Sequence, residues 1–477
     1  MKILAALLIA AAAPLYSHVG SPDVFYEGSA GPYRLMITIR PPQVVPGVAE
    51  IEIRSVGSGV ERIRIAPLRL TAGKQFSPVP DVAQQSKEDP QFFTGTLWLM
   101  STGPWKVVIQ VEGKLGKGEI PVPVPALSTR VMGMQTSLAA ILIPLGLVLV
   151  LGLAAIAGAS TREAQLEPGV APDARRVKLA RIVTVVTIAG FGAVLYLGNS
   201  WWSAEAGEYS RIVYKPLALN ATVQGGNRLE LELADPGWYN RRTDDLLPDH
   251  GHLMHLFIFN LPRMDQVWHL HPRMDGAPGH FSQLLPSMPA GRYALYGDIV
   301  HKNGLAETAT AQIDLPQIVG TPLTGDDAMS VPPIVPASGY NPDVAVLPGG
   351  YRLLWVHSAP KIRARQPYQF HFRLVDAKGE DAKNIELYMG MLGHAAFVKE
   401  DGTVFAHVHP SGSVPAATMG LAMQEDPHAM HMMSETALPA QVSFPYGLPN
   451  SGTYRVFVQM KRAGEIMTGM FNVSVEN

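Results

Sequence analysis

Gly393-His-Ala-Ala-Phe-Val-Lys-Glu-Asp-Gly-Thr-Val-Phe-Ala-His-Val-His-Pro410 reads as one β-hairpin. Asp401-Gly402 is a strong signal for a two-residue turn between strands. Placed at the tip, it sets His394 opposite His409 and Ala396 opposite His407. His407 and His409 are two apart, so on a strand both leave the same face, and Val408 leaves the other. Pro410 has no N–H to give and ends the ladder. Three imidazoles therefore converge as cross-strand neighbours. A one-residue slip would send His394 to the opposite face, so the cluster is a strict consequence of the turn. Three histidines with an open position form a recognised transition-metal arrangement.

The same pattern occurs earlier in the chain. Leu229-Glu-Leu-Glu-Leu-Ala-Asp235 aligns with Phe370-His-Phe-Arg-Leu-Val-Asp376. His255 and His269-Leu-His271-Pro272 align with His394 and His407-Val-His409-Pro410, with a turn one residue longer. Gly291-Arg-Tyr293 aligns with Gly452-Thr-Tyr454, and Gly103-Pro-Trp105 shares that feature in a first copy that has no histidine after His18. Alternation of period two in these segments, and in Arg34-Leu-Met-Ile-Thr-Ile-Arg40, marks strands with one buried and one wet face. The expected fold is mainly β, with three related antiparallel β-sandwiches at 18–129, 210–316 and 345–477. A Pro-rich linker, 317–344, separates the last two. Further metal-ligand candidates are His250 and His252 just upstream of the second triad, and Asp298 and His301 on its final hairpin. Gln459 and Arg462 stand at the places of the latter two in the third copy.

Between the first and second copies lie two apolar stretches. No charge occurs between Arg130 and Arg162, nor between Arg181 and Glu205. Each stretch is long enough to span a bilayer, which places transmembrane helices at 136–158 and 181–202. Pro144 and the glycines are tolerated there, and Trp201-Trp202 suits an interfacial belt. The loop 159–180 and its edge carry Arg162, Arg175, Arg176, Lys178 and Arg181, so the positive-inside rule makes it cytoplasmic. Met1-Lys2 and the apolar run after it read as a signal peptide over 1–17, which agrees with export of everything outside the hairpin. Neither charge-free stretch holds a carboxylate, histidine or basic residue, so the hairpin is read as an anchor and not as a conduction path. The implied location is a bacterial inner membrane with the β domains facing the periplasm or exterior.

Composition narrows the chemistry. The chain contains no cysteine, which removes disulfides, thiolate zinc sites and iron–sulfur clusters. Its formal net charge is -2, so no basic excess exists to neutralise phosphates and no nucleic-acid partner is expected. A run from Met423 to Met433 interleaves His428, Met430, His431, Met432 and Met433. Thioether suits Cu(I) and imidazole suits either copper state, so this run adds copper-type candidates. Met391 alternates away from His394 and is read as core. His18, if exposed as a new N-terminus, lacks a second histidine in its own domain with which to chelate copper.

The blocks Tyr388-Met-Gly-Met-Leu-Gly-His394, Phe405-Ala-His-Val-His-Pro410 and Gly103-Pro-Trp105-Lys-Val-Val-Ile resemble the YtkA-like/FixH-like group of exported β domains. More loosely, they resemble periplasmic copper-binding sandwiches of the CopC type. The resemblance implies immunoglobulin-like sandwiches and copper handling, with zinc as the alternative metal. No nucleophile–base pattern, paired-carboxylate site or phosphate loop emerges from the spacing, so no catalytic residue is assigned. The reading is a membrane-anchored metal-binding protein. The competing one is a non-catalytic module for assembly with envelope or respiratory-complex partners.

The topology is directly testable because the chain has no native cysteine. Single cysteines introduced near Arg175 should resist a membrane-impermeant maleimide added outside the cell, whereas cysteines after Trp202 should label. Labelling at Arg175 from outside would overturn the orientation.

Overall fold

In a computed structural model of the protein, the described residues are 23–131, 136–238, 240–332, 341–423 and 437–477. The expected signal peptide and His18, and the candidates His428, Met430, His431 and Met432, lie outside them. The chain divides into two compact units, one of residues 128–214 and one of the remaining β regions.

The smaller unit is built from helices α1 (Thr136–Glu163) and α2 (Ala174–Ile212), both long and apolar enough by length and composition to cross a membrane. They meet through small residues. Ala154 and Ala180 are buried, and a Cβ on Gly158 would stand 2.3 Å from Thr184 Oγ1. Small residues let helix backbones approach in this way. Both helices outrun the charge-free stretches. α1 continues past 158 to Glu163, and α2 starts at 174 and ends at 212, not at 181 and 202. Arg175, Arg176, Lys178 and Arg181 thus occupy the first turns of α2, not a loop. Charge bounds an apolar stretch, but a helix runs until it is capped. Here Asp173 accepts from the Arg176 N–H at 2.7 Å.

The larger unit is β throughout, apart from short helical turns and helix α3 (Ala416–Met423). Its first region pairs a five-stranded with a four-stranded antiparallel sheet around Leu35, Ile37, Ile53, Val107 and Ile109. The third region sets a four-stranded sheet against a six-stranded one around Phe370, Phe372, Phe397 and Val456. The second region departs from two separate layers. Ala218 pairs in parallel with Thr310, and that bridge joins its strands into one ten-stranded sheet. Its last strand, Ala328–Met329, pairs with Trp268 and His269 and comes from the stretch expected to be a linker. Ile318 also pairs with Met288, so most of that stretch is part of the second region.

Period-two burial appears where expected: Leu229, Leu231 and Leu233 are buried, while Glu230 and Glu232 are not. The hairpin strands differ, because His255–Phe259 and His394–Val398 are buried at every position. Their second face is covered by the partner region. Phe257, Phe259, Val267 and Tyr296 pack against Ala396, Val398, Phe405 and Phe457. A strand buried on both faces loses its polar alternation.

The register follows the sequence reading: Ala395 pairs with Val408, Ala396 with His407 and Val398 with Phe405. The turn itself is wider than two residues. Lys399 N–H donates to the Val404 carbonyl at 2.9 Å, and Gly402 N–H to the Lys399 carbonyl at 2.8 Å. Gly402 takes the left-handed conformation, with φ 72°. The four-residue connection keeps the same centre, so the pairing survives the change of turn. In the second region Leu256 pairs with Leu270 and Phe257 with His269.

The aromatic contact between regions is the weak point to probe. Phe405 stacks on Tyr296 at 4.6 Å between centroids and lies 5.2 Å from Phe257. Truncation of a buried Phe costs about 3–5 kcal/mol. Phe405→Ala should therefore lower the denaturation midpoint clearly. A shift within error would show that the regions do not depend on this packing.

Candidate metal centre at the interface of two β regions

The two hairpins present their histidine faces toward each other. In the third region, ring centroids of His394, His407 and His409 lie 4.6–5.3 Å apart. In the second, those of His255, His269 and His271 lie 4.6–5.5 Å apart. Val408 and Leu270 point the other way, into the core of their own region. Both triads thus form as the spacing requires.

Hydrogen-bond partners assign the tautomers. His255 Nε2 donates to the Asp249 carbonyl at 3.1 Å, and His394 Nε2 to the Tyr388 carbonyl at 3.2 Å. Their Nδ1 atoms therefore carry lone pairs. His269 Nδ1 donates to Gln459 Oε1 at 2.8 Å. The Tyr388 hydroxyl, 3.3 Å from the same Nδ1, gives its own proton to the Asp326 carbonyl. His407 Nδ1 faces Asp298 Oδ2 at 3.6 Å. The Nε2 atoms of His269 and His407 face inward: the first carries a lone pair, while the 3.6 Å separation from Asp298 leaves the His407 proton free to lie on Nε2. They sit 3.2 Å from His255 Nδ1 and 3.1 Å from His394 Nδ1 respectively.

In the second region two lone pairs confront each other at hydrogen-bond distance with no proton between them; in the third, His407 Nε2–H can donate to His394 Nδ1. The third histidine of each triad adds one more lone pair. His271 Nδ1 donates to Asp327 Oδ1 at 3.0 Å, and His409 Nδ1 to the Val414 carbonyl at 3.4 Å. The Nε2 of each is buried without a hydrogen-bond partner. Two nitrogens held by one tetrahedral metal at ~2.0–2.1 Å stand about 3.3 Å apart, close to the spacings here. Carboxylate or carbonyl acceptors on the outer nitrogen are the usual support of a ligating histidine.

Burial keeps these rings neutral. It holds His255, His269, His271, His394 and His407 well below the ordinary imidazole value, and neighbouring histidines push each further down. His409 is pushed down to about 4 by burial and by His250, against a raising effect of Asp249. Burial also pushes the Asp298 carboxyl up to about 7, against a lowering bond from Thr308.

The flanking candidates divide. His252 stacks on His271 at 4.0 Å and bonds Asp326 Oδ2 at 3.1 Å, at the rim of its own triad. His250 crosses to the other region: its ligand atom lies within 4.8 Å of those of His394 and His409. Asp298 faces His407 across the interface, with Oδ2 3.6 Å from Nδ1. His301 does not join the cluster. It lies three residues from Asp298 along a strand, hence on the opposite face. There its Nδ1 meets Asp245 Oδ1 at 2.7 Å and its Nε2 meets Glu307 Oε2 at 2.9 Å, beside the buried ion pair of Glu307 with Arg241. Burial lowers its pKa, but these two carboxylates raise it above the ordinary value.

The spacing argument passed over Asp249, Asp326, Asp327 and Tyr388. A longer self-comparison would have reached part of this set. Asp249-His-Gly-His252 and Tyr388-Met-Gly-Met391 precede their triads by the same interval. Both form the same turn: His250 and Met389 have φ 50° and 49°, and Gly251 and Gly390 have φ 85° and 79°. Met391 therefore sits half-buried in a turn, not in the core as its alternation implied.

Residues 348–477 match a family model described as "Domain of unknown function (DUF8832)". No curated protein matches. The chain aligns over 94% of its length with a tetra-tandem repeat in the extending region of a large adhesion protein, at 9% identity, 82% of that chain and a TM-score of 0.17. Against native Escherichia coli alpha-2-macroglobulin it covers 97% of its own length and 22% of that chain, at 10% identity and a TM-score of 0.21. Scores this low carry no argument about function.

Acid should unfold the metal-free protein early. A histidine whose folded pKa is depressed binds fewer protons folded than unfolded. Its contribution is complete above the unfolded value of ~6.5 and declines as pH falls below it. For His409 the interval from ~6.5 down to about 4 corresponds to about 3 kcal/mol. The melting temperature of the metal-free chain should therefore drop steeply below pH ~6.5. A flat profile down to pH 5 would contradict neutral buried imidazoles.

Proposed function

We propose that the protein is a membrane-anchored metal-binding protein that holds copper, with zinc as the alternative, at two imidazole centres between its second and third β regions. The observation that carries this is the pair of confronted lone pairs of His255 and His269, together with the partnerless buried Nε2 atoms of His271 and His409, one in each triad. Neutral, buried nitrogens in this arrangement repel one another and leave polar atoms unsatisfied, and a metal ion relieves both.

Copper is favoured over zinc by the company the site keeps. Met389 and Met391 occupy the turn beside one triad, and the Met/His run lies further along the same region. The resemblance to YtkA-like/FixH-like and CopC-type domains points the same way. In this reading each β region is an immunoglobulin-like sandwich. α1 and α2 anchor the chain in a bacterial inner membrane, and the β regions face the periplasm or exterior. Assembly with an envelope partner is the competing role, and a chain that holds no metal would favour it.

The full chain, purified in detergent and stripped with a chelator, should take up Cu(II) or Zn(II) and retain it through desalting. His255→Ala with His269→Ala, and separately His394→Ala with His409→Ala, should each remove part of the bound metal by elemental analysis. Asp327→Asn should weaken binding roughly 10–100-fold, as loss of an outer-nitrogen partner does. Equal uptake by wild type and both double variants would refute the site.

A further inference from the structure

We infer that the two centres form one binuclear site, closed by the docking of the second region on the third, with His250 of the second region completing the centre of the third. This rests on the metal-binding reading above.

Each triad is finished by the other region. Gln459 and Tyr388, from the third region, hold the outer nitrogen of His269. Asp298, from the second, faces the outer nitrogen of His407. Ring contacts run straight across the interface. His255 and His407 are 5.2 Å apart, His269 and His407 are 5.6 Å apart, and His250 lies 5.1 Å from His394 and 5.0 Å from His409. Ligand rings of the two centres thus touch each other directly.

That contact bounds the separation of the ions. A metal ~2.0–2.1 Å from a ligating nitrogen lies about 3.2 Å from that ring's centre. With His255 on one ion and His407 on the other, their rings 5.2 Å apart, the two ions stand no more than about 12 Å apart. His250 explains why the set is not two private sites. It sits in the turn that carries Asp249, whose carbonyl orients His255, yet its own ligand atom groups with His394 and His409. Loading one centre therefore orders the segment that serves both.

The test uses the full chain in detergent with Cu(II) as the probe, because copper heads the divalent affinity order for nitrogen ligands. At two equivalents, elemental analysis should find two coppers per chain. Electron paramagnetic resonance should then show dipolar broadening, a half-field signal or lost intensity. In a chain carrying His255→Ala and His269→Ala, only the centre of the third region is left, and it should give a sharp mononuclear spectrum. Adding His250→Ala to that chain should weaken the remaining copper at least tenfold. His250→Gln, which keeps a polar side chain of similar reach, serves as the folding control and should weaken it as well. Two bound coppers with simply additive spectra, one copper per chain, or unchanged affinity on loss of His250 would each overturn the pairing. No retained copper at all would instead overturn the metal-binding reading beneath it.

Discussion

The dry contact between two hairpin faces governs the rest of the structure. Phe257, Phe259 and Tyr296 from one region and Val398, Phe405 and Phe457 from the other exclude water from a shared layer. The histidines continue the same faces at the ends of the same strands. Imidazoles there lose solvent on every side, so burial keeps them neutral and makes each hydrogen-bond partner matter. On a solvated strand the same residues would titrate near ~6.5 and meet no constraint on tautomer.

Polar groups around the cluster answer that constraint almost one for one. Carbonyls of Asp249 and Tyr388 occupy the outer nitrogens of His255 and His394. Gln459, Asp327 and the Val414 carbonyl occupy those of His269, His271 and His409. The outer nitrogens of these five rings donate to acceptors, and the inner nitrogens are left facing one another. Such an arrangement costs stability in a protein that needs only a packed core, because an unsatisfied buried polar atom is worth about 1–3 kcal/mol against folding.

The first region takes part through backbone exchange. Phe25 packs in the core of the third region, 5.4 Å from Tyr446, and Ser413 N–H donates to its carbonyl at 2.9 Å. Val414 and Met419, from the insertion after the third hairpin, pack in return in the core of the first region. Ala417 N–H at the start of α3 donates to Asp249 Oδ1 at 2.7 Å. Lys106 of the first region is buried with its ammonium 3.1 Å from the Ala422 carbonyl at the other end of α3, and burial lowers its pKa. This insertion therefore ties the region without a histidine triad to the turn that orients His255.

Much of this was legible in the residues themselves. Asp401-Gly402 and the two-residue spacing of His407 and His409 determined which side chains share a face, since strand pairing leaves no freedom once the register is set. The repeat then transferred the result to His255, His269 and His271. Charge-free stretches located both apolar helices, though not their ends, because caps and not composition stop a helix. Tertiary structure alone decided that the two triads meet, that His250 serves the opposite region, that His301 belongs to a carboxylate pair, and that the stretch after Leu315 delivers Asp326 and Asp327. Most of those facts depend on contacts between residues from 56 to 190 positions apart. Local periodicity carries no record of which surface will cover which, because an apolar strand face looks the same in sequence whether its partner is its own core or a neighbouring region.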